Sequence, residues 1–308
     1  GYFNSEAKMN ENGNIKINGL LHDKEYVLTE TKPADGFVSA TDISFMLKLK
    51  IEKADYLTQI FIKENEKFVP AISNKLVMYD DTTKIEFSKT EITGEKEIPG
   101  CELEVTDKET GRIMDKWTSS KDKHIVEGKY VVGKTYMFTE KRPASGFATA
   151  ESVEFKISDT GNIQQVSMKD DTIKIQFSKI ASDTKKLLPG AKYKVLDSKG
   201  KKVCEFTTKK KETALNGILC AGETYTFVEH QAPKHYKKAK NVKITVKDTG
   251  KIQKIKVVDE RIPEVPDTPQ TGYNKSIYLY VLALLFGIGM LAKCLNVKNR
   301  YRKKQDEE

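Results

Sequence analysis

Residues 84–90 read KIEFSKT, and almost the same heptapeptide, KIQFSKI, occupies residues 174–180. Apolar and polar side chains alternate along both, which is the pattern of a strand with one face in a core and one in water. Turn signals such as Pro99-Gly100 and Asp159-Thr160-Gly161 separate further segments of this kind. Short strands at regular spacing, without helical periodicity before residue 276, predict an all-β fold of tandem antiparallel β-sandwiches.

A second motif occurs three times along the chain, which shows that the chain is built from repeats. The box reads EYVLTETKPADGF at 25–37, TYMFTEKRPASGF at 135–147 and TYTFVEHQAPKHY at 224–236. The interval from Lys89 to Lys179 is 90 residues, so the repeating unit has the size of a small sandwich domain.

These intervals divide the chain into modules. Two complete modules are predicted at 83–172 and 173–262, and an N-terminally truncated one at 1–82. The truncated module is expected to carry about twenty extra residues near 48–70, as an added strand pair or a loop. Because the chain begins at Gly1 without Met, we expect it to be the C-terminal part of a longer protein.

The charge of the chain is concentrated in one module. Residues 1–82 and 83–172 each carry a net charge of −3, residues 173–262 carry +13 and residues 263–308 carry +2. The basic block is either a solvated sandwich face or a site for a polyanion such as wall polymer or lipid headgroups. Nucleic acid is not expected as a partner, because no nucleic-acid-binding motif accompanies the lysines.

The C-terminal region has the composition of a membrane anchor. Residues 276–292 read SIYLYVLALLFGIGMLA, without a charge, and are followed by a basic tail at 293–308. Their length is near the lower limit of about 17 residues for a membrane span. We predict one transmembrane helix at 276–292, with the tail in the cytoplasm by the positive-inside rule and everything before the helix outside.

Three ionisable positions recur as a set. The set is a Lys in the FSK box, a Glu in the TE or VE box and an Asp in the last strand: Lys89, Glu140 and Asp170, then Lys179, Glu229 and Asp259. The Lys–Glu spacing is 51 and then 50 residues, and the Glu–Asp spacing is 30 in both modules. A single such set is usually a surface salt bridge. Its repetition favours three side chains that meet in the core.

The combined motifs resemble a known family. FSK near the start, Y-x-F-x-E-x-x-P-x-x-G-F in the middle and M-x-D at the end are similar to Cna B-type repeats, the SpaA-like domains of Gram-positive surface adhesins and pilins. The resemblance implies Ig-like, prealbumin-like sandwiches. It also implies a spontaneous isopeptide bond in each complete module, Lys89–Asp170 assisted by Glu140 and Lys179–Asp259 assisted by Glu229.

The resemblance has further consequences for the other modules and for chemistry. In the first module Glu30 and Asp80 match the motif, and their Lys is expected upstream of the chain. The third module departs from the motif at Lys234-His235-Tyr236, where Gly is expected, so its turn is expected to differ. Bond formation is a single intramolecular turnover, so the resemblance implies a protein that is not an enzyme and uses no cofactor or metal.

The segment before the apolar span resembles a sorting signal. Residues 263–275 read PEVPDTPQTGYNK, and their prolines predict an extended linker. The pentapeptide Thr268-Pro269-Gln270-Thr271-Gly272 is similar to LPxTG, with Thr in place of Leu. The resemblance implies that a sortase cleaves after Thr271 and passes the Thr271 carboxyl to peptidoglycan or to another pilin subunit. Until then, residues 276–292 hold the precursor in the membrane; the alternative is a plain single-span membrane protein.

The function implied is a wall-anchored surface protein of a Gram-positive bacterium, the stalk of an adhesin or minor pilin. A host ligand would be bound by domains upstream of Gly1. Two alternatives stay open. One is a pilus backbone subunit, which needs a lysine in a YPK-type motif that this chain lacks. The other is the stalk of a surface enzyme whose catalytic domain lies upstream.

Two cysteines, two histidines and the tryptophan give weaker indications of function. Cys204 and Cys220 flank one predicted hairpin and either pair or stay buried thiols. His230 and His235 lack the spacing of a zinc site, so no metal is predicted. Trp117 is expected to pack in a core or on a sheet face. We find no nucleophile–base set, phosphate loop or cofactor fingerprint in the sequence.

Overall fold

A computed structural model of the chain describes residues 8–53, 55–263 and 275–305. Before the C-terminal helix, the described chain consists mainly of short strands that pair in several sheets, mostly antiparallel. The predicted class of all-β tandem sandwiches with one C-terminal apolar helix is confirmed.

The first module is a four-stranded antiparallel sheet in the order β1-β2-β3-β4. Its strands are β1 (Glu25–Leu28), β2 (Ile43–Glu52), β3 (Asp55–Glu64) and β4 (Lys67–Pro70). β2 and β3 pair from Phe45 opposite Ile62 to Glu52 opposite Asp55. The extra residues near 48–70 therefore form most of a long hairpin and one short further strand.

The second module is a sandwich of two sheets, ordered β10-β9-β6-β7 and β11-β5-β8. Its strands are β5 (Lys84–Glu91), β6 (Glu102–Asp107), β7 (Ile113–Thr118), β8 (His124–Glu127), β9 (Thr135–Arg142), β10 (Val153–Lys156) and β11 (Ile163–Asp170). The predicted turns at Pro99-Gly100 and Asp159-Thr160-Gly161 lie between β5 and β6 and between β10 and β11.

The third module repeats this arrangement with sheets ordered β14-β13-β16-β17 and β15-β12-β18. Its strands are β12 (Ile175–Ala181), β13 (Lys192–Leu196), β14 (Lys202–Thr207), β15 (Thr213–Ala214), β16 (Thr224–Gln231), β17 (Val242–Thr245) and β18 (Gln253–Asp259). The order of strands in its sheets matches the second module strand for strand.

The first and last strands of each sandwich pair in parallel. This pairing differs from the sequence-based prediction, which was of antiparallel sheets only. β5 runs parallel to β11, and β12 runs parallel to β18. Parallel neighbours need a long connection between them. Here that connection is the rest of the module, since the chain visits the opposite sheet before it returns beside its first strand.

Each sandwich encloses its own apolar core. In the second module the ring centroid of Phe87 lies 5.1 Å from that of Phe138 and 5.3 Å from that of Trp117. In the third, the ring centroid of Phe177 lies 4.7 Å from that of Tyr193. Aromatic residues bury large apolar areas, so these clusters stabilise each module separately.

The C-terminal helix, α1, runs from Lys275 to Gln305. Within it, Leu279–Arg300 is long and apolar enough to cross a membrane, and its side chains are exposed. The helix contains the predicted span at 276–292 and continues beyond it through the basic residues. Exposure of so many large apolar side chains in water is unfavourable, which is consistent with a helix that lies in lipid.

Candidate functional site

The recurring charged residues occupy core positions of their strands. Along β5, the residues that face the core are Ile85, Phe87 and then Lys89, which are all nearly inaccessible to solvent. The same two-residue period places Glu140 after Tyr136 and Phe138 on β9, and Asp170 after Val166 and Met168 on β11. Each charged side chain is thus the third member of a buried row whose first two members are apolar.

These rows bring three side chains together in the second module. Lys89 and Asp170 lie on neighbouring parallel strands, and Glu140 lies on the opposite sheet. Lys89 Nζ donates a hydrogen bond to Asp170 Oδ1 and lies 3.1 Å from Glu140 Oε1. The exposed fractions of Lys89, Glu140 and Asp170 are 1%, 4% and 1%, so the cluster is shielded from water.

The third module repeats the cluster. Lys179 Nζ donates a hydrogen bond to Asp259 Oδ1 and lies 3.1 Å from Glu229 Oε2. It also donates to the hydroxyl oxygen of Tyr193 at 2.7 Å. The side chains of Lys179, Glu229 and Asp259 are all buried, as in the second module.

A backbone amide fixes the glutamate in every module. The Ala150 N–H donates to Glu140 Oε2 at 2.7 Å, and the Ala239 N–H donates to Glu229 Oε2 at 2.6 Å. These alanines were not among the residues predicted from the sequence. The signal was present, because an alanine follows each of the three glutamates by ten residues.

Burial changes the acidity of the two aspartates. Desolvation raises the pKa of Asp170 from 3.8 to about 6; the Lys89 ammonium opposes this rise and the charge of Glu140 adds to it. Desolvation also raises the pKa of Asp259, against the opposing effect of Lys179. The environment therefore favours the neutral acid form of both aspartates relative to an aspartate in water.

Cys101 lies beside the second-module cluster, which the sequence did not indicate. Its Sγ is 4.0 Å from Asp170 Oδ2, and burial raises its pKa to about 11, so it remains a thiol. Ligand atoms of Cys101, Glu140 and Asp170 lie within 4.8 Å of one another, a spacing compatible with a metal ion. However, the Lys89 ammonium contacts both carboxylates, and the third module has Ala191 in place of Cys101. We therefore propose no metal site here.

The first module contains only part of the set. Glu30 Oε2 accepts a hydrogen bond from the Ala40 N–H at 2.9 Å, as the other two glutamates do from their alanines. Asp80 is exposed, on a segment for which the described residues provide no paired strand. Its predicted Lys precedes the chain, so a crosslink to Asp80 stays a prediction.

Of the other residues predicted from the sequence, some lie within the ranges that the structure describes and some lie outside them. The sorting motif, Thr268–Gly272, lies outside the described residues and stays a prediction. Cys204 and Cys220 are free, partly buried thiols. Cys204 packs against the third core, while Cys220 Sγ lies 3.1 Å from Ser145 Oγ of the second module. His230 Nε2 lies 3.4 Å from Glu205 Oε1 at the surface.

Comparison with protein families assigns the two complete modules. Residues 83–172 and 173–261 each match the SpaA family, described as a prealbumin-like fold domain. The two matches together cover more than half of the chain, and the chain belongs to this family. No curated protein matches it.

Solved structures with a similar fold come from Gram-positive bacteria. The shaft pilin SpaA from Lactobacillus rhamnosus GG is 16% identical, with a TM-score of 0.31 over 60% of this chain and 99% of that chain. The Bacillus anthracis TIE protein is 17% identical, with a TM-score of 0.36 over 77% of this chain and 51% of that chain. A streptococcal ancillary pilin is 15% identical, with a TM-score of 0.28 over 72% of this chain and 82% of that chain. These likenesses are too distant to carry an argument about function.

Proposed function

We propose that the chain is the stalk region of a wall-anchored adhesin or minor pilin, stiffened by a spontaneous amide bond in each complete module. The observation that carries this proposal is the buried Lys–Glu–Asp cluster, in which the Lys Nζ contacts both carboxylates in two successive modules. A buried ion pair is weak evidence for stability, because its desolvation cost can exceed the Coulomb gain. The recurrence of the same three buried groups in both modules is better explained by a reaction between them.

The proposed reaction joins Lys89 to Asp170. One proton moves from the Lys89 ammonium to a carboxylate, which leaves a neutral amine beside a neutral aspartic acid. The amine nitrogen attacks Asp170 Cγ, water leaves, and an amide remains. The raised pKa of Asp170 supports the neutral acid that this step needs. Contact between the two groups before reaction supplies the proximity on which intramolecular reactions depend.

Glu140 is the proposed proton shuttle. Its Oε2 is held by the Ala150 N–H, while Oε1 faces Lys89 at 3.1 Å. It would accept a proton from the attacking nitrogen and pass it to the departing hydroxyl of the tetrahedral intermediate, so that Glu140 itself is not consumed. Lys179, Asp259 and Glu229 take the same roles in the third module. The reaction occurs once per module, so the chain would have no enzymatic turnover.

We further propose that a sortase processes the C-terminal region. Secreted by a Gram-positive host, the full chain should enter the covalent wall fraction released by a muralytic enzyme. Thr271→Ala removes the threonine side chain at the proposed cleavage site and should move the protein to the membrane fraction, as should loss of the host sortase. Thr268→Leu is the matched control, because it restores the family residue and should leave anchoring intact. Covalent wall attachment of Thr271→Ala would contradict this proposal.

The basic third module is proposed to contact anionic polymer at the wall. It is the module next to the predicted anchor and carries a net charge of +13. Residues 173–262 should sediment with teichoic-acid-bearing walls at low salt, while residues 83–172 should stay in solution. The difference should vanish near 1 M salt, where the screening length falls to about 3 Å. Equal binding of both modules at low salt would show that the charge serves only solvation.

A further inference from the structure

Consecutive modules are joined by links with a defined hydrogen-bond pattern. In the first link the Val38 N–H donates to the Asp81 carbonyl, and the Thr83 N–H donates to the Gly36 carbonyl, each at 2.9 Å. The Gly128 N–H of the second module then donates to the Thr83 carbonyl at 2.9 Å. Thr83, the residue at the link, is thus hydrogen-bonded both to the first module and to the body of the second.

The second link has the same pattern. The Ala148 N–H donates to the Asp171 carbonyl at 2.9 Å, and the Ile173 N–H donates to the Gly146 carbonyl at 2.8 Å. The Gly217 N–H of the third module donates to the Ile173 carbonyl at 2.9 Å. Ala148 of the second module is also buried in the core of the third module.

An aspartate in the following module completes each link. Asp159 Oδ1 accepts a hydrogen bond from the Ser39 N–H at 2.8 Å, across 120 residues of sequence. Asp248 Oδ1 accepts one from the Thr149 N–H at 2.8 Å. Both aspartates begin an Asp-Thr-Gly turn. In each link this turn accepts a hydrogen bond from the backbone N–H at the equivalent position of the preceding module.

A glycine permits the close approach of the modules. A Cβ on Gly36 would lie 2.2 Å from the Gly128 carbonyl oxygen, and a Cβ on Gly146 would lie 2.3 Å from the Gly217 carbonyl oxygen. Both glycines have φ of +87°, in the left-handed region. A side chain at either position would force the modules apart.

The far end of the third module keeps two backbone hydrogen bonds of the links, from the Lys237 N–H to the Glu260 carbonyl and from the Ile262 N–H to the His235 carbonyl, each at 2.9 Å, but it lacks their glycine. His235, with φ of 67°, stands at the position of Gly36 and Gly146. A module docked there in the same way would clash with the His235 side chain.

We propose that each Asp-Thr-Gly turn, together with the glycine of the preceding module that packs against Gly128 or Gly217, forms a docking interface that holds successive modules at a fixed angle, and that His235 ends this series at the third module. The interface fits one partner, the neighbouring module of the same chain. It makes the stalk a rigid rod by contacts between modules, independently of the crosslinks within them and of wall anchoring.

A disulfide tests this geometry. Ser145 Oγ of the second module lies 3.1 Å from Cys220 Sγ of the third. In residues 83–262, which hold both cores, Ser145→Cys with oxidised glutathione should give a disulfide between position 145 and Cys220, located by peptide mapping and reversed by reductant. Ser152→Cys is the matched control, because Ser152 is exposed and hydrogen-bonds Thr139 within its own module. It should not pair with Cys220.

Two variants in the Ser145→Cys background test the docking residues. Gly146→His copies the residue of the third module into the second link, and Asp248→Ala removes the capping carboxylate without strain at the glycine. Each should slow disulfide formation about tenfold or more, because the thiols are then tethered rather than held in contact. Asp197→Ala, in a turn that caps only its own hairpin, should leave the rate unchanged.

The disulfide rates distinguish a docked pair of modules from an undocked one. Rapid pairing at position 145 that both docking variants slow would support the interface. Pairing no faster than in the Ser152→Cys control would overturn it, as would rates unaffected by both Gly146→His and Asp248→Ala. The cooperative melt of Asp248→Ala verifies that its modules remain folded when the rate is measured.

Discussion

Glu140→Ala is expected to slow crosslinking of the second module by about 10²–10⁴-fold, the usual contribution of a general acid–base group. Lys89 and Asp170 both remain in this variant, so the amide stays possible but forms slowly. Freshly purified residues 83–262 with this change should carry one crosslink, in the third module, and gain the second over time. Intact mass followed during incubation measures the rate.

Two controls accompany this experiment. Glu229→Ala should have the mirror effect, with slow crosslinking in the third module and normal crosslinking in the second. Glu154→Ala removes an exposed glutamate that pairs with Lys108 at the surface and should change nothing. A Glu140→Ala protein that is fully crosslinked at the first time point would rule out the proposed role of the glutamate.

The crosslink is expected to stabilise its module by roughly 4–5 kcal/mol, because it closes a long loop in the unfolded chain. The joined residues, Lys89 and Asp170, are 81 apart in sequence. For a domain of this size such a loss lowers the melting temperature by roughly 15–40 °C. Lys89→Ala should therefore melt far below the wild type in calorimetry.

Lys89→Ala also leaves two buried acids without their cation, which destabilises the module for a different reason. The cleaner comparison uses Glu140→Ala before and after its slow reaction, since both forms have the same sequence. The reacted form should melt higher by the range given above and resist protease longer, with or without reductant. Equal melting of the two forms would show that the amide does not stabilise the fold.

The sequence predicts the core of this fold because the relevant signal is local. Ile85, Phe87 and Lys89 alternate with polar residues, and the period of two sets which side chains face the core. The repeat then shows that the lysine belongs to that buried row. Two modules with the same spacing of these residues supplied the comparison that one module lacks.

Other features depend on contacts that no local pattern contains. The direction of β11 beside β5 follows from the path of the whole module and not from its alternation. The hydrogen bond from Ser39 to Asp159 joins residues of different modules, 120 positions apart. Cys101 reaches Asp170 only because two sheets face each other, and the third module has no equivalent thiol to reveal it.

If the two buried clusters react, each of them loses one water. The intact mass of purified residues 83–262, recorded under denaturing and reducing conditions, measures this loss. Two amide bonds predict a mass lower than the calculated value by two waters, with tandem mass spectrometry placing the linkages at Lys89–Asp170 and Lys179–Asp259. A wild-type mass equal to the calculated value would contradict the account and leave both clusters as buried ion pairs.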